Sequence, residues 1–94
     1  MSFHLKDPAA VLDYSIDWGA QYLAEFEQLS TSDWSVSPDE PGGLSVAASS
    51  FEPMISTVSV QGGIAGHVYR LANRISTIEG RVDERSMTIR VEDR

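Results

Sequence analysis

The sequence predicts an all-β fold: two antiparallel sheets of about seven short strands packed face to face, in preference to a small barrel. Three observations lead there. The last third of the chain, from Gly66 to Arg94, alternates apolar and polar residues on both sides of one turn glycine. Turn signals recur along the rest of the chain at intervals of roughly 10 residues. Helical periodicity is confined to one short stretch.

Alternation with period two marks a strand with one buried face, because successive side chains point to opposite sides of the pleat. From His67 to Thr77 the odd positions are Tyr69, Leu71, Asn73, Ile75 and Thr77, with Arg70, Arg74 and Ser76 among the even ones. After IEGR, where Gly80 suits a tight loop, Met87, Ile89 and Val91 alternate with Ser86, Thr88 and Arg90. The two runs predict an antiparallel hairpin. Upstream, Leu12, Tyr14, Ile16 and Trp18 alternate with Asp13, Ser15 and Asp17, directly after Asp7-Pro8. DWSVS, GLSVAA and ISTVSV supply three further short strands, separated by Pro and Gly turns. In GAQYLAEFEQL the residues Tyr22, Leu23, Phe26 and Leu29 fall at helical spacing, which predicts one short helical turn near 19–29. In GHVYRL a tyrosine enters a late strand shortly after a glycine, as in the tyrosine corner of immunoglobulin-like sandwiches, where the phenol caps nearby backbone. Tyr69 is the candidate, and Trp34 is the candidate core tryptophan of an earlier strand.

A chain of 94 residues supports one core, so residues 1–94 are read as a single domain, with 1–7 as an N-terminal arm around His4. It has no cysteine, which excludes a disulfide framework, thiolate catalysis and cysteine-based metal centres. No apolar run reaches signal-peptide or membrane-span length, and the expected compartment is the cytoplasm. The net charge is -7 and uneven: residues 1–69 carry nine acids against Lys6 alone, whereas 70–94 carry six Arg against five acids. Such a balance disfavours nucleic acid and anionic membranes as partners.

Catalytic constellations are missing. A nucleophile needs a base and a group that orients the base, and the only histidines are His4 and His67. QGGIAG carries clustered glycines, but it leads into a strand and lacks the lysine of a phosphate loop, so turn glycines are expected. The carboxylate pairs Asp13 with Asp17, Asp39 with Glu40 and Asp83 with Glu84 raise the question of calcium. Asp13 and Asp17 share a strand face about 13 Å apart at ~3.3 Å per residue, so a site there would need loop ligands as well. Trp18, Tyr22 and Trp34 are the aromatic groups able to stack on a sugar if they are exposed. No cofactor or metal is expected. The residues alone lead to an acidic, cysteine-free, all-β binding or structural module.

The order KDPAAVLDYSIDW, then SDWSV, then STVSVQGGIAGHVYRLANRISTIEGRVDERSMTIRVEDR resembles small proteins of tailed-phage virions described as fiber-tail adaptor or minor tail proteins. The likeness covers residues 6–18, 32–36 and 55–94. It is most specific at Asp13-Tyr14, Asp17-Trp18, Gly62-Gly63, Tyr69, Asn73, Gly80-Arg81, Asp83 and Arg85-Ser86. Residues 19–31 depart from the pattern.

The resemblance implies an immunoglobulin-like sandwich without enzymatic activity or cofactor, present in several copies in the virion tail after assembly in the host cytoplasm. Its implied partners are a tail hub or tube ring and the tail fiber. In such a module the hairpin end EGRVDER, with Arg81, Asp83, Glu84 and Arg85, is the expected interface, since arginine makes bidentate contacts to a partner's carboxylates. The alternative there is an exposed turn with local ion pairs, worth under ~1 kcal/mol each. Two other functions suit the same fold: a carbohydrate-binding or adhesin-type module, and a head-completion or capsid-decoration protein.

Overall fold

The computed structural model describes residues 2–93. Its elements in chain order are β1 (Ser2–Lys6), β2 (Leu12–Asp17), α1 (Trp18–Gln21), β3 (Leu29–Ser37), β4 (Leu44–Phe51), β5 (Ile55–Gly62), β6 (Val68–Thr77) and β7 (Val82–Val91). The strands form a four-stranded sheet, β1-β7-β6-β3, and a three-stranded sheet, β2-β5-β4. Lettering β2 to β7 as B to G reproduces the immunoglobulin division, with B, E and D in one sheet and C, F and G in the other.

The hairpin follows the alternation of its residues. Tyr69 pairs with Ile89 and Leu71 with Met87, and all four are buried between the sheets. Leu44, Val58, Val60 and Val91 complete this main core, with Tyr14, Ile16, Trp34, Val36 and Val46 packed against it. A second cluster of Trp18, Leu29 and Ile75 lies at one end and includes Tyr22 and Leu23 at its margin. Each large apolar side chain removed from water in this way contributes roughly 1.5–3 kcal/mol.

Two features differ from the sequence expectation. Residues 2–6 of the expected arm form β1, which runs parallel to β7 with Phe3 opposite Thr88 and Leu5 opposite Arg90; Met1 lies outside the described residues. The alternation was invisible because the inward residues of β1 are His4, whose ring lies 4.9 Å from that of Tyr14, and Lys6. Lys6 is buried, and its ammonium donates to the carbonyls of Asp7 and Gly62 at 2.8 Å, tying β1 to the end of β5 in the opposite sheet. Burial lowers the Lys6 pKa, against the opposing influence of Asp7.

The strand containing Tyr14 also ends one residue before Trp18. Asp17 accepts from the Ala20 N–H at 3.0 Å and starts α1, so the short helix occupies 18–21, at the leading edge of the expected window. Residues 22–28 are irregular, with Phe26 at φ 66. Tyr22 and Leu23 pack inward while Phe26 faces solvent, so their helical spacing does not describe one apolar face.

Candidate interaction surface

Three connections meet at one end of the sandwich: α1 with residues 22–28, the β4–β5 turn at 52–54, and the β6–β7 turn at 78–81. Backbone bonds lock them together. Gly19 N–H donates to Met54 O at 3.1 Å, Leu29 N–H to Pro53 O at 2.7 Å, and Ile78 N–H to Gln28 O at 3.0 Å.

The pin of this end is Glu27, only 3% exposed. Its carboxylate accepts from Arg81 Nε at 2.9 Å, from the second guanidinium nitrogen of Arg81, from the Thr77 hydroxyl at 2.7 Å and from the Ala24 N–H at 2.9 Å. The bonds from Arg81 and Ala24 outweigh desolvation and hold the Glu27 pKa down at about 2. The guanidinium of Arg81 also lies over the Tyr22 ring, 4.4 Å from its centroid. A loop without regular hydrogen bonding is thus fixed to the hairpin by a buried carboxylate.

Around this pin the surface is apolar. Phe26 is 85% exposed, and Met54, Ile78 and Val82 are about half exposed. A groove of about 440 Å³ runs between Leu23, Phe26 and Met54, floored in part by Gly19. The exposed charged residues in these connections are Asp17, Glu25, Glu52, Glu79 and the paired Arg81.

The four residues expected at the hairpin end do not converge on one surface. Arg81 turns to Glu27. Arg85 lies over the indole of Trp18, 4.7 Å from its centroid, on the inward face that the odd positions of β7 share. Asp83 accepts from the Glu84 N–H at 2.8 Å, and Glu84 faces outward toward Arg70 at 3.6 Å. Sequence reasoning missed Glu27, Phe26 and Met54. Nothing local marks Glu27, because its partners Thr77 and Arg81 lie at least 50 residues away.

The aromatic candidates are placed differently from one another. Trp18 is fully buried, which closes it to sugar stacking; its Nε1–H donates to Asn73 Oδ1 at 2.9 Å. Trp34 is half-buried against the main core, and its Nε1–H donates to Ser56 Oγ at 3.0 Å. Asn73 donates to Ser32 Oγ at 3.0 Å, and Ser32 and Ser56 share a 2.6 Å bond, so a polar chain crosses between the sheets.

At the opposite end Tyr69 is buried. Its hydroxyl accepts from the Ile64 N–H at 3.1 Å and donates to Glu40 at 2.6 Å, while His67 Nδ1 lies 2.8 Å from the same carboxylate. The Tyr69 and His67 bonds lower the Glu40 pKa, and burial together with Glu40 raises that of Tyr69. In QGGIAG, Gly63 has φ 107 and a Cβ there would lie 2.6 Å from a Val91 methyl, so Gly63 serves close packing of the backbone against β7.

Among the described residues no three His, Asp or Glu side chains are grouped to hold a metal ion. Asp13 instead accepts from the Ser59 hydroxyl, and Asp17 caps α1. Among the described residues no helix is long and apolar enough to cross a membrane.

Comparison with curated proteins yields no match. Comparison with protein families matches residues 6–90 to the podophage GP4 fiber-tail adaptor protein gp77 family. The match spans both sheets and every connection at the locked end. Covered in all but its first five and last four residues, the chain belongs to the podophage fiber-tail adaptor family.

Proposed function

We propose that this protein is a non-enzymatic structural component of a tailed-phage virion, an adaptor that links the tail fibers to the tail. Its partners are a tail hub or tube ring on one side and the fiber on the other, with several copies per particle. The protein works as a single rigid domain assembled in the host cytoplasm, and it binds neither nucleic acid nor membrane. The family match over both sheets carries this reading. The structure supports it physically: the loop end is held rigid by Glu27 and leaves Phe26, Met54, Ile78 and Val82 open to a partner. Preorganised, exposed apolar groups lower the ordering cost of association.

The hairpin end contributes through Glu84 on the outward face of β7, whereas Asp83 is half-buried and Arg81 and Arg85 hold the loop end in place through Glu27 and Trp18. Mass spectrometry and cryo-electron microscopy of purified particles test the assignment. The expected result is density for this chain between the tail's hub and its fibers. Its absence from the particle, or density on the capsid alone, would overturn it.

A further inference from the structure

Phe26 combines two unfavourable features. Among the described residues it is both the most exposed large apolar side chain, at 85%, and the one non-glycine with positive φ, at 66°. The left-handed region is sterically poor for a bulky L-residue, and burial of the ring gives nothing back to the fold.

The backbone beneath the ring is nevertheless held on both sides. Glu27 N–H donates to Ala24 O at 3.0 Å, and the Glu27 carboxylate returns to the Ala24 N–H at 2.9 Å. The same carboxylate is anchored to Thr77 and Arg81 on the hairpin. Residues 24–27 thus form a closed turn clamped to β6 and β7, with the ring projecting outward. A strained, clamped and solvent-facing aromatic has the form of an interface anchor, the residue class that dominates binding energy.

Charge selects the occupant. The exposed charges in and beside the three connections are Asp17, Glu25, Glu52 and Glu79, with Arg81 paired to Glu27, and most cations of a second copy stand beside acids or backbone carbonyls. Lys6 is buried on two carbonyls, while Arg70, Arg81 and Arg90 pair with Glu84, Glu27 and Glu92. Arg85 covers Trp18, and Arg74 stands in register between Asp33 and Glu84. A second copy carries a net charge of -7, with Arg70, Arg81 and Arg90 already beside carboxylates, so it is a poor match for this acidic surface, and the same acids oppose an anionic bilayer.

We infer that Phe26 inserts into an apolar pocket, rimmed by Lys or Arg, on a different protein of the virion. The groove between Leu23 and Met54 takes an apolar side chain of that protein in return. The inference rests on the adaptor reading for where the partner is found.

The test places photoreactive benzoylphenylalanine at position 26 in assembled particles. The expected product is a crosslink to one other tail protein, at an apolar pocket flanked by basic residues. Phe26→Gly, which suits φ 66, should keep or raise the melting temperature and weaken binding to the purified crosslinked protein at least ~30-fold. Added salt should weaken the wild-type complex further.

A crosslink only to a second copy or to lipid overturns the inference. So does a Phe26→Gly protein that binds within ~3-fold of wild type, or one that melts early because the ring was packed. The chain present in particles with no crosslink overturns the anchor alone. Its absence from particles overturns the adaptor reading and the anchor together.

Discussion

The Trp18 indole donates to Asn73 Oδ1 over 2.9 Å, between two side chains that are both fully buried. The bond joins α1 to the middle of β6, and Asn73 passes the connection on through Ser32 to Ser56 in the opposite sheet. Asn73→Leu removes the indole's acceptor and leaves a buried N–H unpaired, at about 1–3 kcal/mol. Trp18→Phe in the same chain removes that orphaned donor. The double variant should therefore cost less than the sum of the two single ones, measured by urea unfolding. Strict additivity would show that the bond does not couple the two elements.

Much of this architecture is legible from alternation. Tyr69, Leu71, Asn73, Ile75 and Thr77 all lie on the buried face of β6, since period two fixes facing without knowledge of partners. Alternation could not reveal β1, whose inward residues are His4 and Lys6 and whose parallel pairing to β7 depends on a distant strand. It also could not reveal the loop end. Arg81 and Arg85 look like free cations in the sequence, but Arg81 is claimed by Glu27 and Arg85 by Trp18 through contacts across the fold. Local pattern encodes the facing of a strand; the use of a charge depends on tertiary neighbours.

Glu27 should make stability depend on acid. Its folded pKa is about 2, against an ordinary value of 4.5. A depressed carboxylate stabilises the fold above its unfolded pKa, and that contribution is lost as pH falls from about 4.5 through about 2. Glu40, also lowered, contributes in the same direction. Glu27→Gln should therefore lower the melting temperature at neutral pH and flatten, without abolishing, its fall on acidification. Parallel melting curves for the two proteins across that window would remove Glu27 as the acid-sensitive group.

Tyr69→Phe deletes the hydroxyl while keeping the buried ring. The Ile64 N–H then loses its acceptor, which should cost about 1 kcal/mol. Glu40 simultaneously loses its strongest donor, so its pKa should rise toward the ordinary carboxylate range. Thermal unfolding reads the first effect, and NMR titration of the Glu40 carboxyl carbon reads the second. An unchanged melting temperature together with an unchanged titration would show that the hydroxyl caps nothing.

Gly63 allows a comparison that separates backbone strain from steric overlap. It has φ 107, and a Cβ there would meet the Val91 methyls at 2.6 and 3.3 Å. Gly80 has φ 83, but a Cβ there would meet nothing within 4 Å. Alanine at position 80 thus carries the conformational cost alone, about 1–2 kcal/mol for a left-handed L-residue. Alanine at position 63 adds a clash with a fully buried side chain of β7, whose close-packed surroundings yield little. Gly63→Ala should exceed Gly80→Ala by about 1–3 kcal/mol in chemical unfolding. Equal losses would mean that Val91 moves aside freely and that the Gly63 contact does not fix the β5–β6 connection against β7.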